Sequence, residues 1–275
     1  ENFKEFLLRT NVLNEETDAT YRAEIKAEID EHWAITQGEP DVVADLTEEL
    51  NDMYEPYDFE EFTHSKEVEN IRVVDAISNA LRQSMERHDN LVIMGQDIAE
   101  YGGAFKITEG FVEEFGRDRI RNTPICESSI IETAYGLSVC GIKSVVELQF
   151  SDFITSGFNP VVNLLAKSYY RWGQNADVVL RMPCGAGVGA GPFHSQTNEA
   201  WFIHTPGLKV VYPAFPVDAK GLLAASIEDP NPVLFFEHKA LYRNFSEEVP
   251  EDYYTLPLGK AKLLREGNDL TVVTY

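Results

Sequence analysis

The sequence predicts an α/β fold in which a parallel sheet carries helices on both faces, preceded by a helical and extended arm. From residue 71 onward, short apolar runs alternate regularly with helical patterns, which is the order typical of parallel sheets. Several of these runs lack polar alternation, which indicates strands buried on both faces. Polar side chains directly follow several strands, and this pattern predicts a binding site at one edge of the sheet.

Acidic residues are concentrated in the amino-terminal part of the chain. The 275 residues carry a formal net charge of −23. Residues 1–70 hold 21 acidic and 5 basic side chains, a net of −16, whereas residues 71–275 contribute −7. Nucleic acid and anionic membrane surfaces attract clustered Lys and Arg, so neither is expected as a partner. The 3 cysteines lack metal-site spacing, which indicates reduced thiols in a cytoplasmic protein.

Residues 1–70 are predicted to form a helical tail and an acidic arm. A short helix is expected within residues 1–13, and Asn14 is expected to cap a second helix. That second helix has one narrow apolar stripe and must pack on another surface. The stripe consists of Ile25, Ile29 and Trp33. The acidic stretch 38–70 carries spaced aromatic residues, which favours an arm laid across a partner surface; the alternative is a disordered acidic linker.

The first half of the α/β region begins with an amphipathic helix at residues 73–87, where apolar side chains recur at helical spacing. A buried strand at 91–94 follows and ends at a glycine, and Gly116 closes a short helix at 108–115. The next elements are a strand at 119–125, a helix at 128–141 and a strand at 143–150.

The second half begins with a long helical stretch at 152–172, in which Pro160 predicts a kink or a restart. The strand at 177–182 leads into a loop with glycine at every second position from 185 to 191. Glycine permits close backbone approach, so this loop predicts a tight turn near a ligand. The remaining elements are helices at 198–204 and 217–228 and strands at 209–212 and 232–237.

Four side chains that follow predicted strands are expected to converge at one edge of the sheet. They are Glu127, Gln149, Phe153 and His194. Glu127 is the first candidate for a chemical role; alternatively, it is an acidic helix start favoured by the helix dipole. His194 is a candidate proton donor or acceptor, or else a loop histidine bonded to a backbone carbonyl. Gln149 and Phe153 are expected to line a pocket, or to belong to the core or the surface.

Familiar nucleotide and hydrolase motifs are missing from the sequence. In the glycine-rich loop, Ala190 stands where the dinucleotide-binding fingerprint needs its third glycine. The P-loop, the zinc-binding H-E-x-x-H motif and the G-x-S-x-G nucleophile elbow are also absent. These observations argue against a Rossmann nucleotide site.

Seven stretches carry a resemblance to a known family. They are Gly95-Gln-Asp-Ile98, Tyr101-Gly-Gly-Ala-Phe105, Arg121-Asn-Thr-Pro-Ile-Cys-Glu127, Val146-Glu-Leu-Gln-Phe-Ser-Asp-Phe153, Gly191-Pro-Phe-His-Ser-Gln196, Pro206-Gly-Leu-Lys-Val-Val211 and Asp218-Ala-Lys-Gly-Leu-Leu223. On these residues the chain resembles the transketolase-like pyrimidine-binding domain of the β subunit of 2-oxo acid dehydrogenase E1 components. Residues 1–62 look like the carboxyl-terminal tail of the α subunit. The expected domains are 1–70, 71–254 and 255–275, the last being the start of the β subunit's carboxyl-terminal domain, in a fragment of an α/β fusion.

The resemblance implies a site for thiamine diphosphate. Glu127 would hydrogen-bond the aminopyrimidine N1′ and so activate the cofactor. Phe153 would stack on the aminopyrimidine, and Ile125 and Gln149 would contact the cofactor. His194 would lie beside the substrate and assist transfer of the acyl group to a lipoyl group.

The resemblance also implies two metal ions. A potassium site made largely of backbone carbonyls would fall on Ala176, Val178, Val179, Ser226, Asp229 and Asn231. The diphosphate and Mg²⁺ would be bound by a G-D-G…N motif of the α-type domain, which this chain lacks. The chain is therefore expected to carry half of a cofactor site and to bind the cofactor poorly by itself. It departs from the family at Glu132, where small residues are usual, and at Asn159-Pro160, which replaces an Asp-Gln pair.

The implied activity is oxidative decarboxylation of a 2-oxo acid, with acyl transfer to a lipoyl-bearing E2 component. Branched-chain 2-oxo acids are favoured over pyruvate. The implied assembly contains an α-type domain and is a homo-oligomer or an α2β2-like complex. The alternatives are a pyruvate dehydrogenase E1, a transketolase-like or deoxyxylulose-phosphate-synthase-like enzyme, and a non-catalytic scaffold. Enzymes that bind phosphorylated sugars would need basic residues near the pocket mouth, and the sequence shows no convincing cluster.

Overall fold

The computed structural model of the protein describes residues 2–64 and 66–275. Glu1 and Ser65 fall within the predicted tail and arm and lie outside the described residues. The chain clusters into two compact units, the first ending at Leu46 and the second running from Thr47 to Tyr275. Within the described residues, no helix combines the length and the apolar character needed to cross a membrane.

The first unit contains the helices α1 (Asn2–Arg9) and α2 (Glu15–Gly38). The predicted cap is confirmed, because the Asn14 side chain accepts a hydrogen bond from the backbone N–H of Thr17 at 2.8 Å. Such a cap satisfies one of the free N–H groups at the start of a helix. The apolar stripe of α2 remains more than half exposed: Ile25 56%, Ile29 57% and Trp33 65%.

The second unit contains a six-stranded sheet in which every neighbouring pair of strands is parallel. This arrangement confirms the predicted α/β fold. The strand order is β3-β2-β4-β5-β7-β6. These strands are β2 (Leu91–Gly95), β3 (Ile120–Asn122), β4 (Lys143–Glu147), β5 (Val178–Cys184), β6 (Lys209–Val211) and β7 (Val233–His238).

Alternating side chains of the strands face two hydrophobic layers. On one side, Ile93, Val145 and Val179 pack with the helices at residues 73–87 and 216–228; on the other, their neighbours in sequence pack with the helix at 127–139. A parallel sheet covered in this way has apolar residues at successive positions, which explains the unbroken apolar runs. The helices of this region are α3 (Leu46–Asn51), α4 (Val73–Arg87), α5 (Phe111–Phe115), α6 (Glu127–Val139), α7 (Ser168–Trp172), α8 (Ala200–Ile203) and α9 (Pro216–Glu228).

The structure corrects three of the predicted elements. The long helix at 152–172 is divided into a 3₁₀ segment (Ser151–Gly157), a π-helical segment (Pro160–Leu165) and α7. Proline lacks an N–H group and begins the middle segment, so Pro160 acts as a restart. The strand at 119–125 shortens to three residues. The apolar run from Leu270 to Tyr275, which the sequence suggests as the beginning of a strand, forms none, since an isolated strand has no backbone partner to bond.

An antiparallel pair of strands was not predicted. It consists of β1 (Val68–Arg72) and β8 (Ser246–Pro250), which pair from Val68 with Pro250 to Arg72 with Ser246. The two strands are separated by almost the whole α/β region. Pairing over such a distance leaves no local signal in the sequence, because the exposed residues of β1 show no apolar alternation.

Part of the acidic arm lies on the α/β domain of its own chain. The Tyr54 hydroxyl donates to the carbonyl of Leu208 at 3.2 Å. The backbone N–H of Glu55 donates to Asn231 Oδ1 at 2.8 Å, and the Asn231 amide donates back to the Glu55 carbonyl at 3.0 Å. The predicted arm across a partner surface is thus corrected for this segment, which finds its hydrogen bonds within its own chain.

Glu228 at the end of α9 joins this helix to α4 and gives stability a testable pH dependence. Its Oε1 lies 2.9 Å from Arg87 Nε and 3.1 Å from His88 Nε2, and it accepts from the Tyr253 hydroxyl at 2.7 Å. Burial opposes ionisation, but the hydrogen bonds from His88 and Tyr253 prevail and lower the pKa of Glu228 to about 2. An ordinary Glu has a pKa of about 4.3.

We expect Glu228→Gln to flatten the loss of stability in acid. A carboxyl group whose pKa is lowered on folding stabilises the protein above its unfolded pKa, and this stabilisation disappears as the pH falls toward 2. After screening by solvent, the contribution is about 1–2 kcal/mol. The measurement is the free energy of unfolding between pH 5 and about 2. The matched control is Glu248→Gln, at an exposed position of strand β8. Equal acid sensitivity of both variants and the wild type would contradict the prediction.

Candidate functional site

The crevice between β2 and β4 is the switch point of the sheet. From β2 the chain goes to β3 at the outer edge and then returns to β4, whereas from β4 it goes to β5 on the opposite side. Ligands of open α/β sheets bind outside the carboxyl ends of strands at such a point. Asp97 follows β2 and Gln149 follows β4, and the Gln149 amide donates to Asp97 Oδ2 at 3.4 Å across the crevice.

Glu127 is the first residue of α6 and its side chain is buried at this edge, with 8% of the residue exposed. The Ser156 hydroxyl lies 2.9 Å from Glu127 Oε2, and the Gln96 amide donates to Oε1 at 3.4 Å. The positive end of the α6 dipole also favours a carboxylate here. The helix dipole therefore favours an acidic residue at this position. Burial and two polar neighbours nevertheless distinguish Glu127 from an acidic residue at an ordinary exposed helix start.

Ser156 allows Glu127 to exist in two protonation states. The Ser156 hydroxyl lies 2.9 Å from both Glu127 Oε2 and the carbonyl of Phe153. A hydroxyl has one proton to donate and two lone pairs to accept with. It can donate to ionised Glu127, or it can donate to the Phe153 carbonyl and accept from protonated Glu127. The carboxyl group thus keeps a hydrogen bond whether it holds a proton or not.

The 3₁₀ segment approaches α6 closely at Gly157. A Cβ atom at Gly157 would lie 2.5 Å from Ile131 Cδ1 and 3.6 Å from the carbonyl carbon of Glu127. The first of these distances is too short for a real contact, so a larger residue would displace the end of the Ile131 side chain. Glycine thus allows the segment that carries Ser156 to pack on α6 without moving Ile131.

His194 lies in an aromatic cluster at the same edge. Its ring centroid is 4.7 Å from that of Phe150 and 5.4 Å from that of Phe153, and both contacts are edge to face. The buried Nδ1 of His194 makes no hydrogen bond to any described residue. The predicted alternative of a histidine bonded to a backbone carbonyl through this nitrogen is thus not observed.

Asp152 holds the loop that carries His194. Its Oδ1 accepts from the backbone N–H groups of Ser195 and Gln196, each at 3.2 Å, and from the Gln196 amide at 2.9 Å. Asp152 is itself buried, with 5% exposed. Three donors converging on one oxygen fix the loop relative to the 3₁₀ segment, and so fix the His194 ring relative to Phe153.

The predicted site residues are only partly brought together. Glu127 and Phe153 both contact Ser156, and Phe153 contacts His194. Gln149 bonds to Asp97, and Ile125 projects into solvent with 82% exposed. The sequence analysis missed three further members of the site. These are Gln96, Asp152 and Ser156. Gln96 directly follows a strand and was open to the same argument as Gln149, whereas Ser156 lies within a stretch predicted as regular helix.

A buried charge network joins the neighbouring strands β4, β5 and β7. Arg181, which is 0% exposed, binds Glu237 through two N–H groups at 2.7 and 2.8 Å and Glu147 at 2.7 Å. The Tyr242 hydroxyl donates to Glu237 at 2.5 Å. Burial raises the pKa of Glu147, with Arg181 opposing this shift. Burial alone would lower the pKa of Arg181, but the two carboxylates raise it.

The residues predicted for potassium are buried, but their side chains already have partners. Asp229 forms an ion pair with Lys209 and accepts from the Asn231 amide at 2.9 Å. The Ser226 hydroxyl donates to the carbonyl of Leu222 at 2.7 Å. A potassium ion would therefore depend on backbone carbonyls of the set, together with the free lone pairs of Ser226. In the described chain, no group of three or more His, Cys, Asp and Glu side chains is arranged to hold a metal ion.

A comparison with known protein families identifies the family of the α/β domain. Residues 69–244 match the transketolase pyrimidine-binding domain, and this match covers most of the second unit. The chain belongs to this family. The switch-point crevice and Glu127 lie within the matched residues, and the resemblance to E1 β subunits drawn from the sequence is confirmed.

Relatives of this pyrimidine-binding domain include two kinds of E1 β subunit. The β subunit of 2-oxoisovalerate dehydrogenase from Bacillus subtilis strain 168 is 45% identical over 204 residues, 74% of this chain and 62% of that protein. The mitochondrial β subunit 2 of 2-oxoisovalerate dehydrogenase from Arabidopsis thaliana is 43% identical over 77% of this chain and 60% of that protein. The β subunit of the pyruvate dehydrogenase E1 component from Staphylococcus epidermidis is 42% identical over 74% and 63%.

The match with this chain spans only part of these relatives, between 60% and 63% of their length. Among solved structures, a split-gene transketolase in an inactive β4 tetramer is similar with a TM-score of 0.49 and 19% identity. The similarity covers 60% of this chain and 50% of that one.

Proposed function

We propose that this chain is the β-type part of a 2-oxo acid dehydrogenase E1 component that uses thiamine diphosphate. The observation that carries the proposal is the buried carboxyl group of Glu127 at the switch point. The neighbouring Ser156 hydroxyl can form a hydrogen bond with this group in either protonation state. The names of the relatives, all β subunits of 2-oxoisovalerate or pyruvate dehydrogenases, support the same reaction class.

The residues around Glu127 fit an aminopyrimidine ring. Glu127 would hydrogen-bond N1′, and Phe153 would supply an aromatic wall. Ile125 is an apolar side chain that is 82% exposed beside the buried carboxyl group, as expected for a residue that a flat apolar ligand covers. Gln149, which already bridges β2 and β4, would offer the remaining polar contact. When bound, the cofactor supplies the electron sink that decarboxylation of a 2-oxo acid needs.

The chain's own contribution is to hold and move protons. Glu127 would share a proton with a ring nitrogen in a site from which water is largely excluded, which is the work of a positioned acid-base residue. The Gln96 amide donates a hydrogen bond to one carboxyl oxygen of Glu127. The Ser156 hydroxyl can donate to the other oxygen when it is ionised and accept from it when it is protonated. His194 lies edge to face against Phe153 at the same edge of the sheet, and it would lie beside the substrate and assist transfer of the acyl group.

The other half of the site is proposed to come from a partner. An α-type domain would bind the diphosphate and Mg²⁺, so the enzyme would be active only in assembly, and the acyl group would pass to a lipoyl-bearing E2 component. The assembly would be a homo-oligomer or α2β2-like. We also propose a cytoplasmic location, supported by three unpaired cysteines, and a potassium ion bound by carbonyls of the buried set that includes Ser226.

We expect a preference for branched-chain 2-oxo acids over pyruvate. The side chain of 3-methyl-2-oxobutanoate has two more carbons than that of pyruvate, and each buried carbon contributes about 0.8 kcal/mol. The expected KM is therefore about tenfold lower. The measurement is decarboxylation by the complete assembly with thiamine diphosphate, Mg²⁺ and an artificial electron acceptor. The control omits the α-type partner and should be inactive.

The opposite preference would assign the chain to the pyruvate dehydrogenases. Failure to turn over either acid, with the cofactor demonstrably bound, would contradict the proposed function and favour a transketolase-like enzyme or a non-catalytic scaffold.

A further inference from the structure

The 3₁₀ segment Ser151–Gly157 lies between Glu127 and the loop that carries His194. Near the carboxyl end of the segment, the Ser156 hydroxyl lies 2.9 Å from Glu127 Oε2. Near its amino end, the side chain of Asp152 accepts hydrogen bonds from the His194 loop. One short segment therefore contacts both side chains to which the proposed function gives a chemical role.

Asp152 binds residues that are distant in sequence rather than its own turn. An aspartate near the start of a helical turn ordinarily accepts from a backbone N–H a few residues further on. Here its Oδ1 instead accepts from Ser195 and Gln196, which are 43 and 44 positions away. These are the two residues that directly follow His194. Because the donors of a buried carboxylate have little competition from water, this contact restrains the loop strongly.

The His194 ring has few other restraints in the described part of the chain. On the amino side of His194 the loop is rich in glycine, and a Cβ atom at Gly189 or Gly191 would meet nothing within 4 Å. The backbone N–H of His194 donates to the carbonyl of Gly191 at 3.3 Å. Its ring makes the edge-to-face contacts with Phe150 and Phe153, each worth about 0.5–1.5 kcal/mol. The direction of the ring thus depends on the attachment that follows it.

A buried cation favours a carboxylate at position 152. Lys239 is 5% exposed, and its Nζ lies 5.1 Å from the ring centroid of Phe150. Burial lowers the pKa of Lys239, whereas the charges of Cys184 and Asp152 oppose this shift. Because an isolated buried charge is costly, the opposite charges of Lys239 and Asp152 stabilise each other beside the His194 loop.

We propose that Asp152 is a positioning residue, which holds the His194 ring against Phe153 for transfer of the acyl group to a lipoyl group. The inference rests on the proposed function and adds a residue that acts on this step only through His194. The carboxyl group of Glu127 contacts Ser156 and Gln96 but no residue of the His194 loop. Loss of Asp152 should therefore slow acyl transfer and spare decarboxylation.

The transfer step defines what His194 would do. Overall, a 2-oxo acid and a lipoyl disulfide give CO₂, an acyl thioester and a free thiol. A C–C bond and the S–S bond break, a C–S bond forms, and the electron pair of the broken C–C bond reduces the disulfide. The proton of the acid ends on the free thiol. His194 would deliver this proton, which requires a fixed distance between its ring and the departing sulfur.

The test is a double-mutant cycle with Asp152→Ala and His194→Ala in the complete assembly. Decarboxylation of 3-methyl-2-oxobutanoate is measured with an artificial electron acceptor, and acyl transfer is measured with free lipoamide. We expect Asp152→Ala to slow transfer about 10- to 100-fold, because a small displacement of a catalytic group has a large effect. In the His194→Ala background the same change should slow transfer about twofold at most, since residues that act as a unit are not additive.

Matched variants separate positioning from folding. Asp152→Asn keeps an acceptor oxygen and should retain most of the transfer rate. Thr155→Val removes an exposed hydroxyl of the same segment, which donates to the Asp152 carbonyl at 3.3 Å, and should behave as the wild type. If Asp152→Ala does not assemble, Gln196→Met removes only the 2.9 Å bond and serves in the same cycle with a smaller effect.

Amide hydrogen exchange reports the attachment directly. The N–H groups of Ser195 and Gln196 should exchange about tenfold faster or more in Asp152→Ala, since they lose their acceptor. The proposal is overturned if the two substitutions are additive, if folded Asp152→Ala transfers at the wild-type rate, or if decarboxylation falls as far as transfer. Failure of the proposed function looks different: the wild type decarboxylates no 2-oxo acid, while exchange at Ser195 and Gln196 still increases in Asp152→Ala.

Discussion

Replacing Glu127 by Gln should reduce proton-deuterium exchange at C2 of bound thiamine diphosphate about 10²- to 10⁴-fold, the usual contribution of a positioned acid-base group. An amide has almost the size of a carboxyl group but cannot hold or release a proton at this site. It also fits the existing neighbours, since Ser156 and Gln96 lie 2.9 and 3.4 Å from the two carboxyl oxygens. The change should therefore remove the chemistry and leave the fold intact.

The exchange is measured by NMR on the full assembly with the cofactor bound. The matched control is Glu132→Gln, which changes an exposed carboxyl group on the same helix that accepts from Ser128 at 3.2 Å. We expect this control to exchange at the wild-type rate, and both variants to unfold at the wild-type temperature. An unchanged exchange rate in Glu127→Gln, with the cofactor bound, would refute the role proposed for Glu127.

Arg181→Met should lower the free energy of unfolding by about 3–5 kcal/mol, because removing one partner of a buried ion pair leaves an uncompensated charge. Here two carboxylates, Glu147 and Glu237, lose the one cation with which they form an ion pair among the described residues. Both are almost fully buried between strands of the sheet, with 2% and 1% exposed. One or both must then take up a proton, so the destabilisation should increase as the pH rises.

Urea unfolding at several pH values measures this effect. The control is Arg121→Met on β3, an exposed arginine whose ion pair with Asp118 spans 3.5 Å; such pairs contribute at most about 1 kcal/mol. A second variant replaces Arg181, Glu147 and Glu237 together by apolar residues of similar volume. It should recover much of the lost stability, because the carboxylates are removed with their partner. A loss below about 1 kcal/mol in Arg181→Met would contradict this account of the network.

The strand-end argument predicted a site at this edge of the sheet but named only some of the residues that the structure brings together there. Glu127 and His194 follow strand and loop signals that can be read along the chain, and they lie at one edge because parallel strands end together. Ser156 and Asp152 lie in a segment with a helical pattern, and their roles depend on a 3₁₀ turn that Gly157 allows to approach α6.

The sequence by itself determined the fold class, the strands of the sheet and the family, because burial on both faces leaves unbroken apolar runs and because the matching stretches occur in one order. It also indicated Glu127 as the chemical residue. Only the tertiary structure decided which groups contact the Glu127 carboxyl group and where the arm lies on its own domain. These properties depend on contacts between segments far apart in the chain, where burial and hydrogen bonding are set by packing and leave no local pattern.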